Sequence, residues 1–290
     1  VIYKISLLLF SLLLINSWSC KTQQLVQPPV PDNYTQEIEE WRSARMAGLL
    51  APTGWLSLIG LHWLEEGVNE CGSKDGVRVP LPSNAPPVAV TYTLNDGQVS
   101  CDPNTSAGVT MLSANNCQLE YQSLQWQLLE RGGRHGVRIR DTLLPSRIRL
   151  APIEYFSINP AYRVYATWEP SNGPDSVLMR NVLDMEYYVP VVGKLRFTLN
   201  NSLHELTALD GGPDDLFLIF SDNTTGESTY GGGRYLYCAR AGSDGRTILD
   251  FNKAYNPPCA FTEFATCLLP RAENYLPVEV VVGEMNYGEH

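Results

Sequence analysis

From Val88 onward the chain is written in short segments of alternating apolar and polar residues, each closed by turn formers. VAVTYTL (Val88 to Leu94) alternates and stops at Asn95-Asp96-Gly97. GVTML, CQLEY, LQWQLLE, GVRIRD (Gly136 to Asp141), RVYATW (Arg163 to Trp168), LHELTAL, DLFLIFSD, RYLYCAR, TILDFN and VEVVVGE repeat the pattern. A period of two puts successive side chains on opposite faces of a strand, so one face can enter a core while the other meets water. Roughly a dozen short strands at such spacing predict a mainly β domain, sandwich- or barrel-like, rather than βαβ units. MEYYVPVVGKLRFTLN (Met185 to Asn200) reads as a hairpin turning at Gly193-Lys194.

One helix is expected before the strands, packed against the β-rich domain. Asn33 to Leu50 carries a candidate cap at Asn33 with Gln36 three residues on. Ile38, Trp41 and Arg45 share one face, and Gly48 and Pro52 end the run. GWLSLIGLHWL (Gly54 to Leu64) is almost wholly apolar and is expected to be buried, as a short helix or a strand. Residues 34–290 read as one β-rich domain, with candidate subregions 34–141 and 142–290.

The N-terminal segment reads differently. Lys4 precedes the apolar run Ile5 to Ile15, and Ser17 and Ser19 stand at −3 and −1 before Cys20. That run fits a signal-peptide core and is too short to span a bilayer. Residues 1–19 are expected to be a signal peptide, and Cys20 the lipidation site of an exported lipoprotein. Ordinary cleavage with Cys20 unmodified is the plainer alternative. Residues 20–33, polar and Pro-containing, would be a tether. These features place the protein in the cell envelope, held at a membrane by its lipid and facing the periplasm or the cell surface. A net charge of −10 gives it no basic footprint, so no nucleic acid is expected as a partner.

Two stretches are locally unusual, TTGESTYGGGRYLY (Thr224 to Tyr237) and LDFNKAYNPPCAFTEFATCLLPRAENYLPVEVVVGE (Leu249 to Glu284). Further motifs precede them in order: Trp41, Arg42 and Arg45; Gly54 to Leu56 and Gly60 to Leu64; Gly67 to Ser73. Together, over roughly residues 41 to 284, they resemble the bacterial domain of unknown function 1684. Leu268 stands where that family usually has Pro. The resemblance implies no particular activity.

The candidate site is the constellation Arg234, Tyr235, Asp250, Asn252, Tyr255 and Asn256. A charge pair, two amides and two phenols can line a pocket for a polar small ligand. The structural alternative, in which these side chains brace the NPPC loop, has the greater weight. A non-enzymatic envelope protein binding a small ligand or an envelope protein is therefore the expected function. An envelope hydrolase pairing Asp250 with Glu227 or Glu263 is the alternative, since paired carboxylates can run hydrolysis. The GVRIRD segment sets Arg138 and Arg140 on one strand face, with Arg147 and Arg149 following, and is read as salt-bridged with Asp141 at hand, or as an anion site. Gly231-Gly232-Gly233 is read as a tight turn or a close backbone contact. No cofactor and no metal are expected. Cys101 and Cys117 flank a strand-turn stretch and form the favoured disulfide. Cys259 and Cys267 have three readings: a disulfide, two inert thiols or, less favoured, a metal site.

Overall fold

A computed structural model describes residues 27–288. The signal-peptide expectation, Cys20 and the first part of the tether lie outside the described residues. The chain runs through one helix, α1 (Tyr34–Leu49), and then β1 (Leu58–Trp63), β2 (Gly67–Gly72), β3 (Val79–Pro80), β4 (Val90–Asn95), β5 (Gln98–Pro103), β6 (Thr110–Ser113), β7 (Gln118–Tyr121), β8 (Leu124–Arg131) and β9 (Arg134–Asp141). After a long connection come β10 (Arg163–Arg180), β11 (Glu186–Leu199), β12 (Ser202–Asp210), β13 (Asp215–Asp222), β14 (Arg234–Ala239), β15 (Arg246–Asp250) and β16 (Tyr275–Leu276). The molecule is mainly β, as its periodicity demands.

The first nine strands make two sheets, ordered β1-β9-β8-β7-β6 and β3-β2-β4-β5. Between them lies a sandwich core: Cys71, Val79, Val90 and Tyr92 from one sheet meet Leu119, Leu124, Trp126, Val137 and Ile139 from the other. A disulfide joins Cys101, on β5, to Cys117, in the turn before β7. It ties the two sheets together, and closing a loop of this length removes about 3 kcal/mol of denatured-state freedom.

The later strands form a third sheet, ordered β14-β13-β12-β11-β10-β15, with β16 added parallel to β13. This sheet curls until it nearly closes. Its two end strands meet where the Thr247 hydroxyl donates to the Ala239 carbonyl at 2.6 Å. The interior holds Leu195, Phe197, Leu206, Leu218, Phe220, Leu236, Leu249 and Phe251, all buried. Closure removes exposed strand edges, which are otherwise sites of unwanted pairing.

The structure corrects five local expectations. β11 does not turn at Gly193-Lys194; it runs unbroken through both residues, and the hairpin turns at Asn200-Asn201. Those asparagines have φ of 51° and 62°, the paired positive values that a two-residue hairpin turn needs and that Asn tolerates. Gly193 instead pairs with Pro170 of β10 at the edge of a bulge, where a Cβ would lie 2.3 Å from the Glu169 carbonyl oxygen. A glycine signals a turn and a close approach equally well, and here the second applies. RVYATW is only the first third of β10, which continues to Arg180.

At the helix, Asn33 makes no side-chain cap, and Gln36 donates to Glu40 at 2.8 Å instead of reaching back. GWLSLIGLHWL begins as a 3₁₀ turn at Trp55–Ser57 before entering β1, and Trp55 is 37% exposed, so the segment is not wholly buried. VEVVVGE buries Val280 and Val282 alternately, as a strand would, but joins no ladder apart from one bridge between Glu284 and Tyr155.

Candidate functional site

The side chains singled out in the sequence are mostly braces. Arg234 opens β14, is 1% exposed, and donates to the Val282 carbonyl at 2.6 Å and the Val280 carbonyl at 2.8 Å. Its ion-pair partner is Asp222 at 2.6 Å, not Asp250. A guanidinium thus occupies the place a neighbouring strand would take beside VEVVVGE, satisfying carbonyls that burial would otherwise strand. Asp222 in turn accepts from the Thr224 backbone N–H at 2.7 Å and from its hydroxyl, which meets the Thr229 hydroxyl at 2.9 Å. This buried network holds the TTGEST loop. Gly233 completes it, since a Cβ there would lie 2.7 Å from the Phe220 carbonyl oxygen.

Asp250 accepts from the Tyr34 hydroxyl at 2.8 Å and from the Asn252 amide side chain at 3.0 Å, anchoring the start of α1. Asn252 exchanges two hydrogen bonds with the Asn159 backbone, at 2.8 and 2.9 Å. Asn256 donates its backbone N–H to Glu284 at 2.7 Å and its side chain to the Met285 carbonyl at 2.8 Å. Tyr255 packs edge-on to Tyr235 and lies under the Arg45 guanidinium, 4.6 Å from the ring centre. No contact brings Asp250 to Glu227 or Glu263, both of which are exposed.

Sequence reading missed Glu284. It is fully buried, pairs with Arg45 at 3.1 Å and lies 3.4 Å from the Tyr155 hydroxyl. Burial holds its carboxyl above the usual carboxylate range, against the pull of Arg45. A glutamate at the end of an apolar run was the available signal.

An open cleft of about 620 Å³ lies elsewhere. Its walls are Trp55, Arg131 and Arg138 from the sandwich half, and Tyr187, Tyr235, Thr266 and Cys267 from the barrel half. Tyr235 is thus the one member of the predicted constellation that lines it. Arg138, on β9, is 8% exposed. Its Nη2 donates to the Thr266 hydroxyl at a long 3.3 Å, its Nε has no hydrogen-bond partner, and no carboxylate pairs with it among the described residues. Burial pulls its guanidinium down to about 10. Trp55 stands beside it, with its ring centre 5.5 Å from the guanidinium carbon. The only carboxylates on the cleft lining, Glu130 and Glu186, are exposed at its rim, and Glu186 faces Arg180 at 3.5 Å. The expected salt-bridging of the GVRIRD arginines therefore fails for Arg138. Arg147 does reach Asp141, at 3.6 Å, while Arg140 donates to the Thr53 carbonyl.

Two histidines meet backbone: His204 lies 3.2 Å from the Leu199 carbonyl oxygen and His135 2.9 Å from that of Gly97. Among the described residues no group of three or more His, Cys, Asp or Glu is arranged to hold a metal ion.

Residues 149–285 match the family described as protein of unknown function (DUF1684). The earlier motifs, from Trp41 to Ser73, lie outside the matched stretch. An uncharacterized protein of Haloarcula marismortui, solved by solution NMR, is 35% identical; the match covers 48% of this chain and 79% of that one, with a TM-score of 0.40. No curated protein matches.

Proposed function

The chain belongs to the DUF1684 family, and from that premise we propose that it is a non-enzymatic binding protein of the cell envelope whose ligand is a small anion seated on Arg138. One observation carries this reading: a buried arginine, without a carboxylate partner, in the wall of an open cleft. A buried cation left unpaired is costly, and a carboxylate or phosphate entering the cleft would supply the missing acceptors bidentately. Trp55 and Tyr187 offer flat apolar surface to the body of such a ligand. The carboxylates at the rim disfavour multiply charged anions, so a single anionic head is the better fit.

Titration calorimetry with inorganic phosphate, a sugar monophosphate and small carboxylic acids tests the site. At least one of these is expected to bind, and Arg138→Met to weaken it roughly ten- to hundredfold, the equivalent of one charge-assisted hydrogen bond. Unchanged affinity in that variant, or no binding by any anion, sinks the reading.

The envelope location rests on Lys4, the apolar run and Cys20. Cys20→Ala should move the protein from the membrane fraction to the soluble one; retention at the membrane would argue against a lipid anchor.

A further inference from the structure

Cys259 and Cys267 both sit in the NPPCAFTEFATC segment, where the chain folds back on itself. The Cys259 backbone N–H donates to the Cys267 sulfur at 3.1 Å, and the Cys267 N–H donates to the Cys259 sulfur at 3.2 Å. This reciprocal arrangement brings the two sulfurs together without a bond between them. Their surroundings differ. Cys267 is 7% exposed and lines the cleft that holds Arg138. Cys259 is half-buried and lines a second cleft of about 700 Å³, with Leu56, Tyr230, Phe261 and Glu263. Each cysteine of the pair therefore lines a different open cleft.

The electrostatics separate the two thiols in the same sense. The hydrogen bond from Cys267, its backbone N–H and the nearby Arg138 charge hold Cys259 below the ordinary thiol value, against burial. Cys267 is pushed up by its bond to Cys259 and by burial. The remaining free thiols among the described residues, Cys71 and Cys238, are buried and also pushed up, Cys238 to about 12. A more exposed thiol with the greater thiolate share beside a sheltered partner is the division between an attacking and a resolving cysteine.

We propose that Cys259 and Cys267 form a reversible dithiol–disulfide site that exchanges with small-molecule disulfides. The Cys259 thiolate attacks one sulfur of the incoming disulfide; that S–S bond breaks, and the first thiolate leaves with the electron pair and takes up a proton. Cys267 then gives its proton to solvent and attacks the Cys259 sulfur, expelling the second thiolate, which is protonated in turn. Two protein thiols become one protein disulfide, and one small disulfide becomes two thiols. The site does not depend on anion binding at Arg138.

Oxidised glutathione, offered to the folded full-length protein, is the probe. One tryptic peptide, Ala254–Arg271, contains both cysteines, so the state of the pair is read directly by mass. After exposure that peptide should be two hydrogens lighter, two glutathione molecules should be released, and dithiothreitol should restore the thiols without unfolding the protein. Cys267→Ser should trap glutathione on Cys259, while Cys259→Ser should leave Cys267 unmodified over the same period. Should either variant fail to fold, the wild-type titration still decides. Thiols that stay unreactive in the folded protein, or a bridge that resists dithiothreitol until the protein is unfolded, would overturn the proposal.

Discussion

Arg234 and Asp222 face each other at 2.6 Å with neither side chain exposed to solvent. Burial of this depth penalises both charges, and the pair is tolerable because the Val280 and Val282 carbonyls accept from the two Nη groups and Thr224 donates to Asp222, while Arg234 Nε is left without a partner. Removing one partner leaves the other charge stranded. Arg234→Met is therefore expected to cost about 3–5 kcal/mol in denaturant unfolding. The double change Arg234→Met with Asp222→Leu should cost less than the sum of the two single changes. A single-variant loss below about 1 kcal/mol would show that the network is not the brace described. Residue types pointed to Arg234, Asp250, Asn252 and Asn256 as polar groups with work to do, but not to their partners. Asp222 lies twelve residues before Arg234 and Glu284 twenty-eight after Asn256, and only strand register and the curl of the sheet bring them within bonding distance.

Among the elements, the β10–β11 pair shapes the barrel. Both strands are long, and their pairing shifts register between Pro170 and Asp175, opposite the stretch where β11 shifts against β12 between Val191 and Gly193. Such bulges let a long ribbon bend. Gly193 is required there because a Cβ would meet the Glu169 carbonyl oxygen at 2.3 Å and the Trp168 ring at 2.5 Å. Gly193→Ala should therefore destabilise by about 1–3 kcal/mol, the cost of overpacking, in thermal or denaturant unfolding. Asn201→Gly, at the real turn, should be neutral or mildly stabilising because glycine takes positive φ freely. The reverse order of effects would restore the turn to Gly193-Lys194. Strand existence was legible here from alternation. Strand length was not: the alternating RVYATW stops at Trp168 although β10 runs on to Arg180, and Gly193 signals a turn until its neighbours are known.

At the scale of the molecule, α1 is bound to the barrel half by polar contacts: Tyr34 to Asp250, and Arg45 to Glu284 and to the Asn256 carbonyl at 2.9 Å. A 16-residue helix of this kind is marginal alone, so these contacts hold it as much as it completes the barrel half. A fragment of residues 143–288 would leave Glu284 buried without Arg45. It is expected to lose about 3–5 kcal/mol relative to the whole chain, with a peptide of residues 27–50 partly restoring cooperative unfolding. Equal midpoints for fragment and whole chain in calorimetry would refute this.

The chain's own pattern determined the mainly β class and the helix ahead of the strands, because periodicity is a property of neighbours in sequence; the Cys101–Cys117 bridge was one favoured pairing among several until the structure joined the two. Tertiary structure decided the rest. Which carboxylate meets which arginine, where a glycine is squeezed and that Arg138 faces a cleft without a counter-ion all depend on contacts between residues far apart in the chain. Those contacts exist only once the sheets have curled and packed.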